Sequence, residues 1–310
     1  MSDNAANSGS EEFKSGFVAL VGRPNAGKST LTNALVGRKI AITSDTPQTT
    51  RHRLRAIVNR ENSQIVFVDT PGLHKPHDAL GDEVNQSTFK ALEDVDVIAF
   101  LVDSTQAIGR GDEWVAEYVK KSRSALARIL VLTKVDISSA EQVQAQIDRV
   151  KKLGDFDRII ALSAVTDFNL EGLLSEIEQH LPAGPRWFPE DMDTDQSIEV
   201  MISEFIREKV LYSTFDEVPH AVGVQLDDLE QSKKDDITKI YATIFVERDS
   251  QKGIIIGKGG SGIKKIGETS RADLERLLGT RVFLDLRVKV KKGWRKDASQ
   301  IKRFGYGEGL

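Results

Sequence analysis

A glycine-rich stretch with one lysine, GRPNAGKS from Gly22 to Ser29, has the residue types and spacing of a phosphate-binding loop, G-x-x-x-x-G-K-[S/T]. It follows an apolar run of strand length and precedes an amphipathic stretch. Glycines let backbone N–H groups surround phosphates, and the next helix adds its positive end. Lys28 is expected to reach the outer phosphates and Ser29 to bind Mg²⁺. The predicted nucleotide contacts of this loop are Gly22, Arg23, Pro24, Asn25, Ala26, Gly27, Lys28, Ser29 and Thr30.

The stretch FVDTPG places a carboxylate at the end of a second apolar run. Asp69 can hold Mg²⁺ there, directly or through water, and Gly72 offers an unobstructed N–H to a terminal phosphate. The predicted contacts are Asp69, Thr70, Pro71 and Gly72.

Two further motifs end apolar runs and predict a guanine site. In TKVD, Asp136 can accept from both N–H donors on the edge of guanine, Lys134 can cover the base and Thr133 precedes them. Ser163 and Ala164 can direct a backbone N–H at the guanine oxygen. Ligands in α/β sheets bind at the carboxyl ends of strands, so the motifs are expected to converge.

The stretch TPQTTRHR offers Thr49 and Thr50 as residues that bind Mg²⁺ when the terminal phosphate is present. We predict Thr50, with Thr49 as the alternative. The predicted metal ligands are thus Ser29, Thr50 and Asp69, and the predicted catalytic residues are Lys28, Thr50 and Gly72. Leu73 follows Gly72 and can neither orient water nor stabilise charge, so slow intrinsic turnover is expected.

A second glycine-rich stretch, GIIIGKGGSG, has its lysine before its glycines and does not fit the first pattern. It fits G-x-x-G, a loop that lets a nucleic-acid backbone approach closely. The predicted RNA contacts are Ile254, Ile255, Ile256, Gly257, Lys258, Gly259, Gly260 and Ile263, with Lys264, Lys265 and Trp294. For the two lysines the alternative is a solvated helix face. For Trp294 it is a side chain that closes the edge of the domain.

The elements that position these motifs fall into two groups. Up to residue 182, apolar runs alternate with amphipathic stretches, which predicts an α/β domain with a mostly parallel sheet, helices on both faces and one antiparallel edge strand. After a linker at 183–196, the order α-β-β-α-α-β predicts a small α+β domain over 197–310. The first domain is predicted over 15–182, after a flexible tail at 1–14.

Charge separates the same two parts. Residues 241–310 carry 16 basic and 8 acidic side chains, a net of +8, whereas the rest carries 27 and 39, a net of −12. The basic part indicates an anionic partner. The absence of cysteine excludes disulfides and thiolate chemistry, and five scattered histidines offer no metal cluster. No apolar run reaches the roughly 18 to 20 residues of a membrane span, and the polar start does not resemble a signal peptide.

The first group of motifs resembles the translation-factor-like GTPases, and the second loop resembles that of KH domains. Together, GRPNAGKS, PQTTRHR, DTPG, KVD and GIIIGKGG resemble the bacterial Era GTPase family over nearly the whole chain. The resemblance implies a P-loop GTPase domain, which binds GTP or GDP with Mg²⁺, and a KH domain that follows it. It further implies binding of small-subunit ribosomal RNA near its 3′ end, a role in assembly of the small ribosomal subunit, and a cytoplasmic protein peripherally associated with the inner membrane. No DNA partner is expected.

Two positions depart from the family pattern, and a third matches one of its branches. Thr133 stands where most members have Asn, which is expected to weaken the connection between the base-binding and phosphate-binding loops, and Val165 stands where many have Lys. Asn25 matches the asparagine with which potassium-activated relatives hold K⁺, or it only shapes the loop. Two other functions stay open: an RNA-binding GTP/GDP sensor with negligible turnover, and an ATP-driven RNA remodeller, against which Asp136 argues.

Overall fold

A computed structural model describes residues 12–46, 49–72, 85, 86, 89, 92–232, 236–304 and 306. The predicted tail falls largely outside the described residues, and the first strand already begins at Lys14. Within the described residues, no helix combines the length and the apolar character needed to cross a membrane.

The first part of the chain forms a six-stranded sheet in the order β2-β3-β1-β4-β5-β6. All pairings are parallel except β2 with β3, which is the antiparallel edge strand that the sequence predicted. The strands are β1 Lys14–Gly22, β2 Leu54–Asn59, β3 Ser63–Asp69, β4 Val97–Asp103, β5 Ala127–Thr133 and β6 Arg158–Ala161. The helices are α1 Lys28–Val36, α2 Arg110–Lys121, α3 Ala140–Val150 and α4 Leu170–His180.

Apolar residues on both faces explain this sheet. Every residue of β3 and β4 is buried, so their near-continuous apolar runs are covered from two sides. Leu31, Leu173 and Ile177 pack on one face, and Val115 and Val119 on the other. Because β1 and β3 to β6 run parallel, the carboxyl ends of these five strands meet at one edge of the sheet.

The second part of the chain has the predicted order α-β-β-α-α-β. Its sheet runs β7-β8-β9, antiparallel for the first pair and parallel for the second. The strands are β7 Gly223–Ser232, β8 Ile237–Val246 and β9 Arg281–Val290, and the helices are α5 Ile198–Ser213, α6 Asp249–Ile256, α7 Ser261–Leu278 and α8 Ala298–Arg303. This confirms the predicted fold class, a mostly parallel α/β sheet followed by a small α+β unit.

The segment predicted as a linker lies along the first sheet. The backbone N–H of Ile57 donates to Asp193 (2.9 Å), and Gln64 Oε1 accepts from the N–H groups of Trp187 (2.7 Å) and Phe188 (3.0 Å). The segment thus brings α5 against the residues between α1 and β2.

Candidate functional site

The loop from Gly22 to Thr30 has the backbone that its glycines predict. Gly27 has φ 90° and is followed at once by α1, so the helix N-terminus faces the loop. A Cβ at Gly22 would lie 2.6 Å from the Leu101 carbonyl oxygen, and one at Gly72 would lie 2.7 Å from Pro24 Cα. Both positions therefore require glycine, and Gly72 is in contact with the phosphate-binding loop.

Lys28 lies buried beneath this loop. Its Nζ donates to the carbonyls of Gly22 (3.3 Å) and Arg23 (3.0 Å). Burial lowers the pKa of Lys28 to about 8, against the opposing effect of Asp69. The ammonium is thus held where phosphate oxygens could replace the two carbonyls.

The three predicted metal ligands lie together. Ser29 Oγ is 2.8 Å from Thr50 Oγ1 and donates to Asp69 Oδ2 at 2.9 Å. Thr49 instead donates its hydroxyl to the Thr46 carbonyl (2.6 Å), so Thr50 is the threonine beside Ser29.

Asp69 has the environment of a cation ligand. It is fully buried, and its Oδ1 has no hydrogen-bond partner in the described part of the chain. Burial raises its pKa to about 6, although Lys28 and the hydrogen bond from Ser29 act in the opposite direction. Two hydroxyls and one carboxylate, of which one oxygen is without a hydrogen-bond partner in the described part of the chain, suit a hard divalent cation that also takes phosphate and water ligands. Among the described residues no cluster of three or more His, Cys, Asp or Glu offers another metal site.

On the base side, Thr133 makes the connection that it was expected to weaken. Its Oγ1 donates to the Ala26 carbonyl at 2.9 Å, with the Val102 carbonyl at 3.3 Å. The hydroxyl thus joins the end of β5 to the phosphate-binding loop, so the expectation of a weakened connection is not supported by the geometry. Beside it, Lys134 Nζ lies 2.7 Å from Asp103 Oδ2, and Asp136 is exposed.

Ser163 and Ala164 have different roles: Ser163 is structural, and Ala164 is the candidate binding residue. The N–H of Ser163 donates to the Phe168 carbonyl (3.1 Å), and its Oγ accepts from the N–H groups of Val165 (3.3 Å) and Thr166 (3.2 Å). Ser163 therefore shapes the turn, and Ala164 supplies the candidate N–H for a guanine oxygen.

Other predicted contacts have side chains that are used elsewhere. Arg23 Nε is 2.7 Å from Asp112 Oδ1, and Thr70 Oγ1 donates to the Leu20 carbonyl (2.7 Å). These residues, with Ala26 and Pro71, have only their backbone to offer a nucleotide. Leu73 lies outside the described residues.

Asn25 connects the phosphate-binding loop to the segment after α1. It has φ 63°, and its Nδ2 donates to the Asp45 carbonyl at 2.6 Å. This hydrogen bond fits the interpretation in which Asn25 shapes the loop.

A cleft of about 250 Å³ runs along the phosphate-binding loop and the segment after α1 as far as Lys134. It is lined by Pro24, Asn25, Gly27, Lys28, Ser29, Thr30, Ile42, Thr43, Ser44, Asp45, Thr49, Thr50, Gly72, Lys134 and Tyr212. Tyr212 comes from α5, far along the chain, and sequence motifs gave no signal for it. Asp103 was also missed, although it ends an apolar strand as Asp69 does.

The second glycine loop connects α6 to α7 through left-handed backbone. Gly259 has φ 59° and Gly260 φ 82°, and a Cβ on Gly257 would lie 2.7 Å from the Gly262 nitrogen. Lys258, Lys264 and Lys265 are exposed, and Lys264 lies 4.0 Å from Glu268. The loop can thus admit an extended anionic backbone.

Beside this loop lies a groove between α7 and β9. Its lining includes Ile263 and Lys264, which were predicted, and Gly267, Phe283 and Leu286, which were not. Ile254 is 54% exposed and Ile256 half-buried, but Ile255 is 1% exposed and belongs to the core.

Trp294 is a correction. It is 1% exposed, its Nε1 donates to the Ala221 carbonyl (3.0 Å), and it packs edge-on against Phe304. The prediction that it stacks on a base is wrong because its ring is buried; it closes the edge of the domain, as the alternative interpretation had it.

Known proteins match the chain in the same two parts. The family models for a 50S ribosome-binding GTPase and for a KH domain match residues 17–134 and 217–295. GTPase Era of Mycolicibacterium paratuberculosis is 46% identical over 297 residues, covering 95% of this chain and 99% of the relative. The Mycobacterium avium protein of the same name is also 46% identical, with the same coverage.

Two solved structures resemble the whole chain. A variant of Aquifex aeolicus Era bound to GDP·AlF4⁻ superposes with a TM-score of 0.91 at 37% identity, covering 96% of this chain and 100% of the other. The same values apply to Era in complex with MgGDPNP and nucleotides 1506–1542 of 16S ribosomal RNA. The chain therefore belongs to the Era GTPase family, and it is a GTP hydrolase with a C-terminal KH domain.

Proposed function

We propose that this protein is a GTP-controlled switch that binds small-subunit ribosomal RNA near its 3′ end and acts in assembly of the small ribosomal subunit. One observation carries the proposal: the segment that brings Thr50 beside Ser29 is also in contact with the KH part of the chain. Arg51, next to Thr50, is 3% exposed and donates to the carbonyls of Val222 (2.6 Å) and His220 (3.1 Å).

Arg51 is firmly held on the KH side. Its guanidinium lies 5.8 Å from the ring centroid of Trp294 and 5.3 Å from that of Tyr306. Burial, followed by the nearby Arg207, lowers the pKa of Arg51, so the carbonyls and rings must compensate for a costly buried charge. If nucleotide binding displaces Thr50, the neighbouring Arg51 moves with it. Because the buried charge of Arg51 depends on its contacts with the KH part, the KH part is then displaced as well.

In the proposed GTP state, Ser29, Thr50 and Asp69 hold Mg²⁺, and Lys28 and the Gly72 N–H contact the terminal phosphate. Mg²⁺ held by these residues would neutralise charge that develops on the phosphates during hydrolysis. Asp136, Lys134 and the Ala164 N–H bind guanine. Loss of the terminal phosphate removes its contact with the Gly72 N–H and releases Thr50, which changes the position of Arg51.

On the RNA side, Lys258 and the glycines from Gly257 to Gly260 contact the sugar-phosphate backbone. Bases lie in the groove beside Ile263 and Phe283. The net charge of +8 over residues 241–310 supports an RNA partner. A complex of a relative that contains both a GTP analogue and 16S ribosomal RNA supports the same assignment.

Two finer properties follow the family resemblance. We propose that Asn25 holds a K⁺ ion at the phosphates, and we expect faster hydrolysis in KCl than in NaCl. Equal rates in the two salts contradict the K⁺ site.

We also propose that the protein is cytoplasmic and associates peripherally with the membrane, for which salt extraction of the membrane fraction is the test.

Protein–RNA crosslinking in cells tests the RNA partner. We expect crosslinks concentrated near the 3′ end of small-subunit ribosomal RNA, and their loss in a Lys258→Glu, Gly259→Asp variant that still binds GTP. Crosslinks spread over unrelated RNAs, or unchanged by the two substitutions, contradict the assignment.

A further inference from the structure

Arg207 of α5 contacts the backbone next to the metal-binding threonine. Its side chain is fully buried, and its Nη2 donates to the Thr49 carbonyl. The guanidinium is oriented by Glu204, since Nε donates to Oε1 (2.8 Å) and Nη2 to Oε2 (2.6 Å). This two-point ion pair fixes the plane of the guanidinium.

The contact restrains Thr50 through one peptide bond. The carbonyl of Thr49 and the nitrogen of Thr50 belong to the same planar peptide group, so holding that carbonyl fixes the plane from which Thr50 extends. Thr50 Oγ1 lies 2.8 Å from Ser29 Oγ, where the proposed Mg²⁺ binds. Arg207 is thus separated from the proposed metal site by one peptide group and the side chain of Thr50.

Helix α5 also contacts the chain at Thr43, at the other end of the segment that leads to Thr49 and Thr50. Glu208 Oε1 accepts from the Thr43 N–H (2.9 Å), and the Tyr212 hydroxyl lies 3.4 Å from Thr43 Oγ1. Residues 208 and 212 are one turn apart, so they face the segment together. Helix α5 therefore holds the segment near both of its ends and also supplies a wall of the nucleotide cleft.

We propose that Arg207 is a positioning residue for GTP hydrolysis, which fixes the Thr49 carbonyl so that Thr50 meets the Mg²⁺ of the GTP state. The proposal rests on the proposed role of Thr50. It assigns part of the catalytic geometry to a helix that lies beyond residues 17–134, the range of the GTPase family model. The first residues after the predicted linker would then be needed for turnover.

Four variants of the full-length chain test this. Arg207→Ala removes the contact, and Arg207→Lys keeps the charge but loses the planar two-point contact with Glu204 that orients the donor to the Thr49 carbonyl. Thr50→Ala is the reference for loss of the ligand. Arg295→Ala is the matched control because it removes an ion pair with Glu247 (3.0 Å) within the KH part. The readouts are single-turnover hydrolysis, and affinities for GDPNP and GDP measured across Mg²⁺ concentrations.

We expect Arg207→Ala to lower the hydrolysis rate by roughly tenfold to a hundredfold, since a displacement of about 1 Å has costs of that order. Its GDPNP affinity should require more Mg²⁺, as in Thr50→Ala, while GDP affinity stays within about twofold because Thr50 acts only with the terminal phosphate. Arg207→Lys should lie between Arg207→Ala and the wild type. Arg295→Ala should match the wild type in both readouts. If loss of any ion pair in the KH part slowed hydrolysis, this variant would be impaired as well.

The outcomes separate the inference from the proposed function. A folded Arg207→Ala protein with wild-type rate and Mg²⁺ dependence overturns the inference; if circular dichroism shows that it does not fold, wild-type behaviour of Arg207→Lys overturns it instead. A loss in Arg207→Ala without one in Thr50→Ala also overturns it, because Arg207 then acts by another route. If Thr50→Ala discriminates GDPNP from GDP as the wild type does, the proposed metal role of Thr50 fails.

Discussion

Lys39 Nζ lies 2.8 Å from Asp273 Oδ2, which joins the segment after α1 directly to α7, the helix that begins at the second glycine loop. Glu208 and Lys209 of α5 complete the cluster, since Lys39 pairs with Glu208 and Lys209 pairs with Asp273. Burial alone would raise the pKa of Asp273, but hydrogen bonds from Lys209 and Lys39 outweigh it and lower the pKa to about 2. A charged link therefore spans the two parts of the chain.

We predict that Asp273→Asn weakens the communication between nucleotide and RNA, because the amide cannot hold two ammonium groups. The ratio of RNA affinities with GDPNP and with GDP should fall by roughly fivefold, a coupling of about 1 kcal/mol. RNA affinity is measured by fluorescence anisotropy. Glu247→Gln, which weakens an ion pair inside the KH part, should leave the ratio unchanged. An unchanged ratio in Asp273→Asn would show that this cluster carries no coupling.

Asp69 predicts a pH dependence of stability in the metal-free, nucleotide-free protein. Its pKa is raised from 3.8 to about 6 by burial, so between these values the folded state holds a proton that the unfolded state has lost. Stability from this group is present below pH 3.8 and is lost as pH rises through 6. Relative to Asp69→Asn, which does not titrate, the wild type should lose about 1.4 kcal/mol per pH unit in this window. Urea unfolding in EDTA measures the difference, and parallel curves for the two proteins would contradict it.

Thr133 should be needed for its hydroxyl rather than its shape. Thr133→Val keeps the branched side chain but leaves the Ala26 carbonyl without its donor, at a cost of about 1 to 3 kcal/mol. Because this bond connects the base-binding strand to the phosphate-binding loop, GDP affinity should fall with stability. Thr133→Ser, which retains the hydroxyl, is the control. Equal GDP affinity in the Val and Ser variants would show that the connection is unimportant.

Trp294 and Lys258 should separate stability from RNA binding. Trp294→Phe removes the bond to the Ala221 carbonyl and should cost about 1 to 2 kcal/mol of stability, with RNA affinity per folded molecule unchanged. Lys258→Ala should leave stability unchanged and reduce the slope of RNA affinity against salt by about one unit. Thermal unfolding and salt titrations measure both. A Trp294→Phe protein that is stable but binds RNA poorly would restore the stacking role.

The strand-end motifs were predictable because parallel strands present their carboxyl ends at one edge, so the sequence alone places Ser29, Asp69 and Thr133 near one another. The contribution of α5 was not, since the contacts of Arg207 and Tyr212 depend on how the two parts of the chain pack. Trp294 was misassigned because a tryptophan beside basic residues suits both a base-stacking and a core position, and only burial distinguishes them. The groove residue Phe283 gave no signal, because an aromatic residue in a strand is ordinary.

Control of RNA binding by the bound nucleotide is the property from which the proposed function follows. Its most direct test is the affinity of the full chain for RNA of nucleotides 1506–1542 of 16S ribosomal RNA, measured with saturating GDP and then with GDPNP, both with Mg²⁺. We expect binding at least about fivefold tighter with GDPNP than with GDP, within the usual range for coupled sites. Equal affinities in the two states would contradict it.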